Sequence, residues 1–256
     1  MLKFDSIENA RDLGDYITAE GYKIRSGMLL RTALLADASD EDLRRLKEEF
    51  GVCKVIDMRV EVEYSHNPDR NIPGIEPLHI EIMTLNCRFY KGMSELPIIE
   101  FLKSPGADML CDGFYVSFVD DPDCQEQFAR VLREIITADG AVLWHCAQGK
   151  DRTGLVAAFI LFALGADYDT VLLDFITSNI TYEPLLSRLK KEITAAGGDA
   201  NALKNAQTLF GVNTRLFIDA LDWIDARYGG MNAYLNNQLK VSDEDIRLLK
   251  KKYLIM

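Results

Sequence analysis

Residues 141–165 constrain this chain more than any other stretch. Ala141-Val142-Leu143-Trp144 is a short apolar run of strand type. Leu155 to Leu164 is apolar throughout, and Gly165 stops it as a buried helix is stopped. Between them lies His145-Cys146-Ala147-Gln148-Gly149-Lys150-Asp151-Arg152-Thr153-Gly154. A polar turn is thus carried between two elements that must both be buried, which is an α/β arrangement with chemistry at the strand-to-helix junction.

Such a turn suits an oxyanion. The first turn of a helix has N–H groups without intrahelical partners, at the positive end of the dipole. Gly149 allows the backbone to curl so that successive N–H groups of Ala147, Gln148, Gly149, Lys150 and Asp151 converge on one anion. Arg152 adds a planar fork for two phosphate oxygens. The same positive field suits a thiolate at Cys146, a nucleophile beneath a bound phosphorus. Thr153 can donate its hydroxyl to the sulfur, and His145 orders the loop. Lys150 reads either as a positive charge at the rim, suited to highly phosphorylated or inositol-type head groups, or as a solvated side chain. Gln148 either contacts substrate or positions the hydrolytic water.

Other chemistries fit less well. A nucleotide-binding loop needs a glycine where Trp144 stands and a Ser or Thr directly after Lys150. A redox pair needs a second cysteine three residues beyond Cys146, where Gly149 stands. His145 and Cys146 are adjacent with no second ligand cluster, so no metal is implied.

The stretch resembles the signature loop of the cysteine-dependent protein tyrosine phosphatases, His-Cys-x5-Arg-Thr/Ser. Its Gly-Lys-Asp-Arg-Thr-Gly form is similar to a bacterial tyrosine/lipid or dual-specificity branch. Asn9-Ala10-Arg11-Asp12-Leu13-Gly14 resembles that branch's opening, with Asp15 in place of a second glycine. Leu30-Arg31-Thr32 follows, with Thr32 in place of serine, and Val55-Ile56-Asp57-Met58-Arg59 resembles its Ile-Asp-Leu-Arg strand end. The likeness extends to the last helices, through Tyr228-Gly229-Gly230 and Ser242 to Ile246. It implies a tyrosine-phosphatase-like α/β fold, a central mixed sheet flanked by helices, in one phosphatase domain over 1–256 whose residues 165–256 are a largely helical extension. It implies a phosphorylated protein or phosphoinositide as substrate and no cofactor. It also makes Asp151 the first choice for the general acid, ahead of Asp57 and then Asp120; Asp151 reads alternatively as an ion-pair partner of Lys150 or Arg152.

The rest of the chain supplies scaffolding. Gly21 and Gly27 punctuate a hairpin before a strand at Met28–Arg31, and Ser39 caps a helix that Gly51 ends. Strands follow at Val52–Ile56 and Pro77–Ile82. Arg11 and Asp12 read as a surface ion pair, or else Arg11 or Arg31 helps fix the active-site floor. Asp57 reads as a turn cap or as a site residue beyond a strand's carboxyl end. Glu61, Glu63 and Asp69 read as solvated, and His79 as a packing residue. Helices are expected at Leu96–Leu102, Asp108–Val119 and Pro122–Thr137. Phe89, Tyr90, Phe114, Tyr115 and Phe118 supply core or a pocket wall. Beyond Gly165 the periodicity is helical, in segments 168–178, 183–195, 200–209, 214–228, 231–238 and 243–253.

Composition narrows the partners. The formal charge of −11 opposes nucleic acid or an anionic membrane as the main partner, so a phosphate site must be locally basic. Five cysteines without regular spacing suggest a reducing compartment, and the charged first residues show no secretory segment; the expectation is a cytoplasmic protein. No run approaches membrane-spanning length. Two other functions keep the same loop: a phosphate-binding module without turnover, and a sulfur-transfer or arsenate-reducing enzyme with Cys53 as a second thiol.

Overall fold

The computed structural model describes residues 1–75, 77–83 and 97–255. Five short strands form one sheet in the order β1 (Arg11–Asp12), β3 (Leu29–Thr32), β6 (Ala141–His145), β4 (Val52–Asp57) and β5 (Leu78–His79). β1 runs antiparallel to β3, and the other pairs are parallel. The sheet is mixed, with β6 at its centre. All five β6 residues are buried, as expected of a parallel strand covered on both faces. Register sets Thr32, His145 and Asp57 side by side at the carboxyl ends of β3, β6 and β4, the edge where α/β sheets gather function.

Helices cover both faces. α1 (Asp40–Glu48) is capped by Ser39, which accepts from the Asp42 N–H. α2 (Glu61–His66) follows β4 directly. α3 (Ile98–Lys103), α4 (Ala107–Asp112) and α5 (Phe114–Asp120) precede α6 (Pro122–Thr137), whose Asp121 cap accepts two N–H bonds. α7 (Asp151–Leu164) is apolar all round and lies deepest, closed by left-handed Gly165. Full burial of each large apolar side chain there, such as Leu155 or Phe159, stabilises by roughly 1.5–3 kcal/mol. The remainder is helical: α8 (Tyr168–Thr177), α9 (Asn179–Ala195), α10 (Ala200–Phe210), α11 (Thr214–Tyr228), α12 (Met231–Asn237) and α13 (Asp243–Tyr253).

Several elements depart from the periodicity. The expected helix at 108–119 is two helices, because Gly113 is both the C-cap of α4 and the N-cap of α5. The strand expected over 77–82 pairs only at Leu78–His79. α9 starts at Asn179, four residues early, and accommodates Pro184 in its second turn. α2 carries no apolar stripe and was not expected. β2 (Lys23–Ile24) pairs with β7 (Leu254–Ile255), so the two ends of the chain meet in a ribbon no local pattern announces. Phe89, Tyr90 and the first residue of the helix expected from Leu96 lie outside the described residues.

The apolar interior falls into three clusters. The largest joins the sheet to α5–α8 and α11–α13, and a second lies under α1. A third is built from α3, α4, α10 and the distal part of α9, with Phe101, Leu102, Ile193 and Ala206 at its centre. That third cluster brings Ile98, Leu209 and Phe210 toward the end of the sheet where Cys146 sits.

Candidate active site

The loop 146–151 curls because its carbonyls are held from outside. Leu34 N donates to Ala147 O (3.2 Å). Asn9 Nδ2 donates to Gln148 O (3.0 Å) and Gly149 O (2.9 Å), and the Tyr182 hydroxyl donates to Gln148 O. Arg31 Nη2 donates to Gly149 O (2.8 Å) and Lys150 O (3.3 Å). In a trans peptide the C=O and the following N–H point in opposite directions. Carbonyls drawn outward at 147–150 therefore turn the N–H groups of 148–151 toward the inside of the curl. The N-cap residue of α7, Lys150, makes no side-chain cap hydrogen bond, so the first turn adds to the same field.

Gly149 is obligatory in this geometry. Its φ is +61°, and a Cβ there would stand 2.1 Å from the Thr32 carbonyl oxygen. Asn9, which reaches the loop from 140 residues away, is itself left-handed at φ +51°, a conformation asparagine tolerates.

The floor is a buried ionic knot. Asp174 of α8 pairs with Arg31 through one oxygen and with Arg11 Nε (3.2 Å) through the other. Arg11 also donates to Asn9 Oδ1 and Ser178 Oγ. Arg11, Arg31, Asp174 and Ser178 are all essentially inaccessible to solvent. Two guanidiniums share one carboxylate, leaving one unit of positive charge under the loop of an acidic protein. Arg11 is thus buried and paired with Asp174 rather than with Asp12 at the surface, and Arg31 joins it beneath the loop.

A second buried network supports β6. Arg59 pairs with Asp57 (2.7 Å) and Asp69 (3.0 Å), and Asp69 Oδ2 lies 3.0 Å from His145 Nε2. That approach is a close ion pair when the imidazole is protonated. Burial alone would lower the imidazole's affinity for a proton, but Asp69 and Asp57 outweigh it and raise His145 above its ordinary 6.5. Asp69 is held low: burial pushes it up, and His145 and Arg59 more than offset that. Asp57, Asp69 and His145 bring ligand-type atoms within 4.8 Å of one another, but the Arg59 guanidinium already answers both carboxylates.

The cavity above the loop has a volume of about 280 Å³. Cys146, Ala147, Gln148, Asp151 and Arg152 form its base, and Met83, Ile98, Phe114, Phe118, Leu209 and Phe210 its apolar wall. Glu63 faces the same space and grips Arg152 end-on, Oε2 to Nη1 at 2.7 Å and Oε1 to Nη2 at 2.9 Å. Burial pushes the Glu63 carboxyl up, yet the Arg152 charge and hydrogen bonds bring it below its ordinary value. Asp151 accepts the Tyr115 hydroxyl at Oδ1, and its Oδ2 lies 3.5 Å from Lys150 Nζ.

These placements correct several expectations. Lys150 is neither at the rim nor solvated: it is fully buried, and Nζ donates to Leu209 O and Gly211 O, both at 2.9 Å. Asp57 is committed to Arg59 behind the loop and does not line the cavity. Asp120 lies on the opposite face of α5, bound by Trp223 Nε1 and Tyr228 OH beside a separate cavity of about 370 Å³. Glu63 and Asp69 are ion-paired rather than solvated. The Thr153 hydroxyl is buried and makes no hydrogen bond among the described residues, the sulfur of Cys146 included. His79 packs as expected, stacked on Tyr64 with its Nε2 2.7 Å from Arg59 O. Cys53 sits at the opposite end of the parallel strands, about 15 Å of strand away from Cys146, so it is no partner thiol.

Asn9, Asp174, Ser178 and Tyr182 complete the site without having been assigned a role from sequence, and they are joined by Glu63, read there as solvated, and Tyr115, read as core or pocket wall. Asp174 carried a faint signal, a lone acid inside the apolar run Val171-Leu172-Leu173-Asp174-Phe175-Ile176.

Comparison with known proteins agrees with this geometry. A family model described as "Tyrosine phosphatase family" matches residues 2–255. A Cupriavidus necator protein with a provisional tyrosine-protein phosphatase name is 30% identical over 261 residues, covering 99% of this chain and 88% of its own. The triple specificity protein phosphatase PtpB of Mycobacterium tuberculosis is 28% identical over 90% of each chain. A tyrosine-protein phosphatase of Nostoc commune is 28% identical over 91% of this chain and 79% of its own. From the anion cup at the end of β6 to the ribbon that closes the termini, this chain belongs to the tyrosine phosphatase family.

Proposed function

We propose that the chain hydrolyses phosphoric monoesters through a phospho-cysteine at Cys146, as one phosphatase domain. The Cys146 thiolate attacks phosphorus in line; the S–P bond forms as the P–O bond to the leaving group breaks. The 148–151 N–H groups and Arg152 stabilise charge on the equatorial oxygens. Asp151 gives its proton to the departing oxygen. Water then attacks phosphorus, Asp151 takes its proton, the S–P bond breaks, and inorganic phosphate leaves with the thiolate restored. His145 and Thr153 belong to the support of the loop in this scheme.

The observation that carries the reading is the set of outward-held carbonyls beneath an open cavity that contains Cys146, Asp151 and Arg152. The one-domain reading is supported by the C-terminal helices, since α8 supplies Asp174 and the end of α10 supplies two carbonyls to Lys150. The wall of Phe114, Phe118, Leu209 and Phe210 favours an aryl ester, hence phosphotyrosine. The withdrawal of Lys150 removes a cation that a multiply phosphorylated inositol head group would use. Among the described residues Arg152 is the cation lining the cavity. The triple specificity in the mycobacterial relative's name calls for a substrate comparison, of phosphotyrosine with phosphothreonine peptide and phosphoinositides.

No described helix is long and apolar enough to cross a membrane. We propose a cytoplasmic site of action, resting on the reducing compartment that five cysteines without regular spacing suggest.

The test is hydrolysis of 4-nitrophenyl phosphate by wild type and Cys146→Ser, with acid quenching of the wild type on radiolabelled substrate. Turnover lost in the variant, with label retained on the wild-type protein, is the expected result. Wild-type protein that binds tungstate but releases no phosphate would establish the binding-module alternative instead.

A further inference from the structure

Asp151 is the first residue of α7, where a carboxylate has several competing partners. It can fold back onto N–H groups of its own first turn, or pair with Arg152 next to it. Either pose would turn it away from a substrate oxygen in the cavity. The structure holds it otherwise, through two residues on which solvent has no purchase.

The first is Tyr115, near the start of α5, 1% exposed. Its ring is fixed edge-on against Phe175 (5.6 Å between centroids, 79°) and Phe217 (6.2 Å, 87°), with Phe114 at 5.3 Å. A phenol so enclosed needs a partner for its hydroxyl, and that partner is Asp151 Oδ1. Burial, and after it the Asp151 charge, drive the phenol's ionisation well above 10, so it stays a donor at any working pH. The second residue is Lys150, whose ammonium is anchored by Leu209 O and Gly211 O and stands 3.5 Å from Oδ2.

We infer that Tyr115 is a positioning residue for the phosphatase reaction: its hydroxyl fixes the Asp151 carboxylate so that Oδ1 only accepts, and Oδ2 carries the exchanged proton. This rests on Asp151 being the general acid. The bookkeeping of the step is unchanged by it: one proton leaves Oδ2 for the ester oxygen and one returns from water. The hydroxyl contributes orientation, which is where a carboxylate with free rotation about χ1 and χ2 loses rate.

Leaving-group dependence separates positioning from mere structural support. An aryl phosphate with a good leaving group, 4-nitrophenyl phosphate, needs little protonation; phenyl phosphate needs it fully. Wild type, Tyr115→Phe and Asp151→Asn are compared on both, with thermal unfolding of each recorded. Phenylalanine keeps the ring contacts with Phe175 and Phe217, so Tyr115→Phe is expected to fold. We expect its kcat on phenyl phosphate to fall on the order of tenfold, with a clearly smaller loss on the nitrophenyl ester, and Asp151→Asn to show the same divergence more steeply. Equal losses on both esters, or no loss, in Tyr115→Phe while Asp151→Asn diverges would overturn the role of Tyr115 alone. Should Tyr115→Phe not fold, 3-fluorotyrosine incorporation, which strengthens the phenol as a donor, is read on the same two esters; an unchanged ratio overturns the role. Equal losses in Asp151→Asn overturn the acid assignment, and the role of Tyr115 with it.

Discussion

The underside of the 146–151 loop and its mouth are made of the same residue types and treat them in opposite ways. Beneath the loop, Arg11 and Arg31 are sealed from water, and their forks are spent on carbonyls and on Asp174. At the mouth, Arg152 is partly open and Glu63, more open still, holds it. A buried guanidinium with its carboxylate removed, or the reverse, is an uncompensated charge, whereas an open one is rehydrated. The floor therefore shapes the backbone and can tolerate no change, and the mouth, where we propose that the chemistry occurs, can. Arginine at position 31 is part of the fold; arginine at position 152 is, in our proposal, part of the reaction.

Breaking the floor gives the largest expected effect. Arg31→Met removes the donor to Gly149 O and Lys150 O and leaves Asp174 with the Arg11 guanidinium and the Tyr16 hydroxyl. We expect a loss of about 3 kcal/mol in chemical denaturation and near-complete loss of activity. Activity lost with stability intact would move Arg31 from the floor to the mouth.

This division also explains what could be seen in the linear sequence. The cup is contiguous: Cys146, Gly149, Arg152 and the strand and helix on either side lie within one stretch, and local rules suffice to read it. The floor is not. Asn9, Arg31, Asp174 and Tyr182 meet only after the sheet and α8–α9 have packed, and each alone resembles an ordinary polar residue. Glu63 and Asp69 follow β4 as part of a charged segment, and nothing nearby distinguishes a solvated acid from one facing Arg152 or Arg59. Lys150 misled for a related reason. Its place in the motif suggests a rim cation, but its ammonium ends against carbonyls at the end of α10, some sixty positions on. In the fold, strongly periodic helices such as α6 and α11 were legible. The break at Gly113 and the β2–β7 ribbon were not, because one is an interruption at a single residue inside a helical pattern and the other a pairing of segments about 230 positions apart.

At the mouth a smaller effect is expected. Glu63→Gln removes the charge that orients Arg152 while keeping the shape of the side chain. We expect KM for 4-nitrophenyl phosphate to rise up to about tenfold, with unfolding midpoints close to wild type, since a partly exposed pair contributes about 1 kcal/mol or less. A large stability loss would show that the contrast between floor and mouth is drawn in the wrong place.

The smallest effect is one of pH. The folded-state value of His145 is raised, so its pairing with Asp69 contributes stability fully below about pH 6.5, lost as pH rises through the raised value. Glu63 and Asp69 are depressed, so their contributions are present above the ordinary carboxylate values and lost as pH falls through the lower folded ones. Thermal midpoints should therefore decline from mildly acidic toward alkaline pH, and His145→Gln should flatten that slope. A slope unchanged in the variant would assign it to other groups.

The inward turn of the 148–151 amides is tested most directly by titrating the isotope-labelled protein with tungstate and following the backbone amide resonances. We expect the largest shifts at Gln148, Gly149, Lys150 and Asp151, saturating together with inhibition of phosphate release. Inhibition accompanied by shifts elsewhere, with these four amides unmoved, would contradict the anion cup.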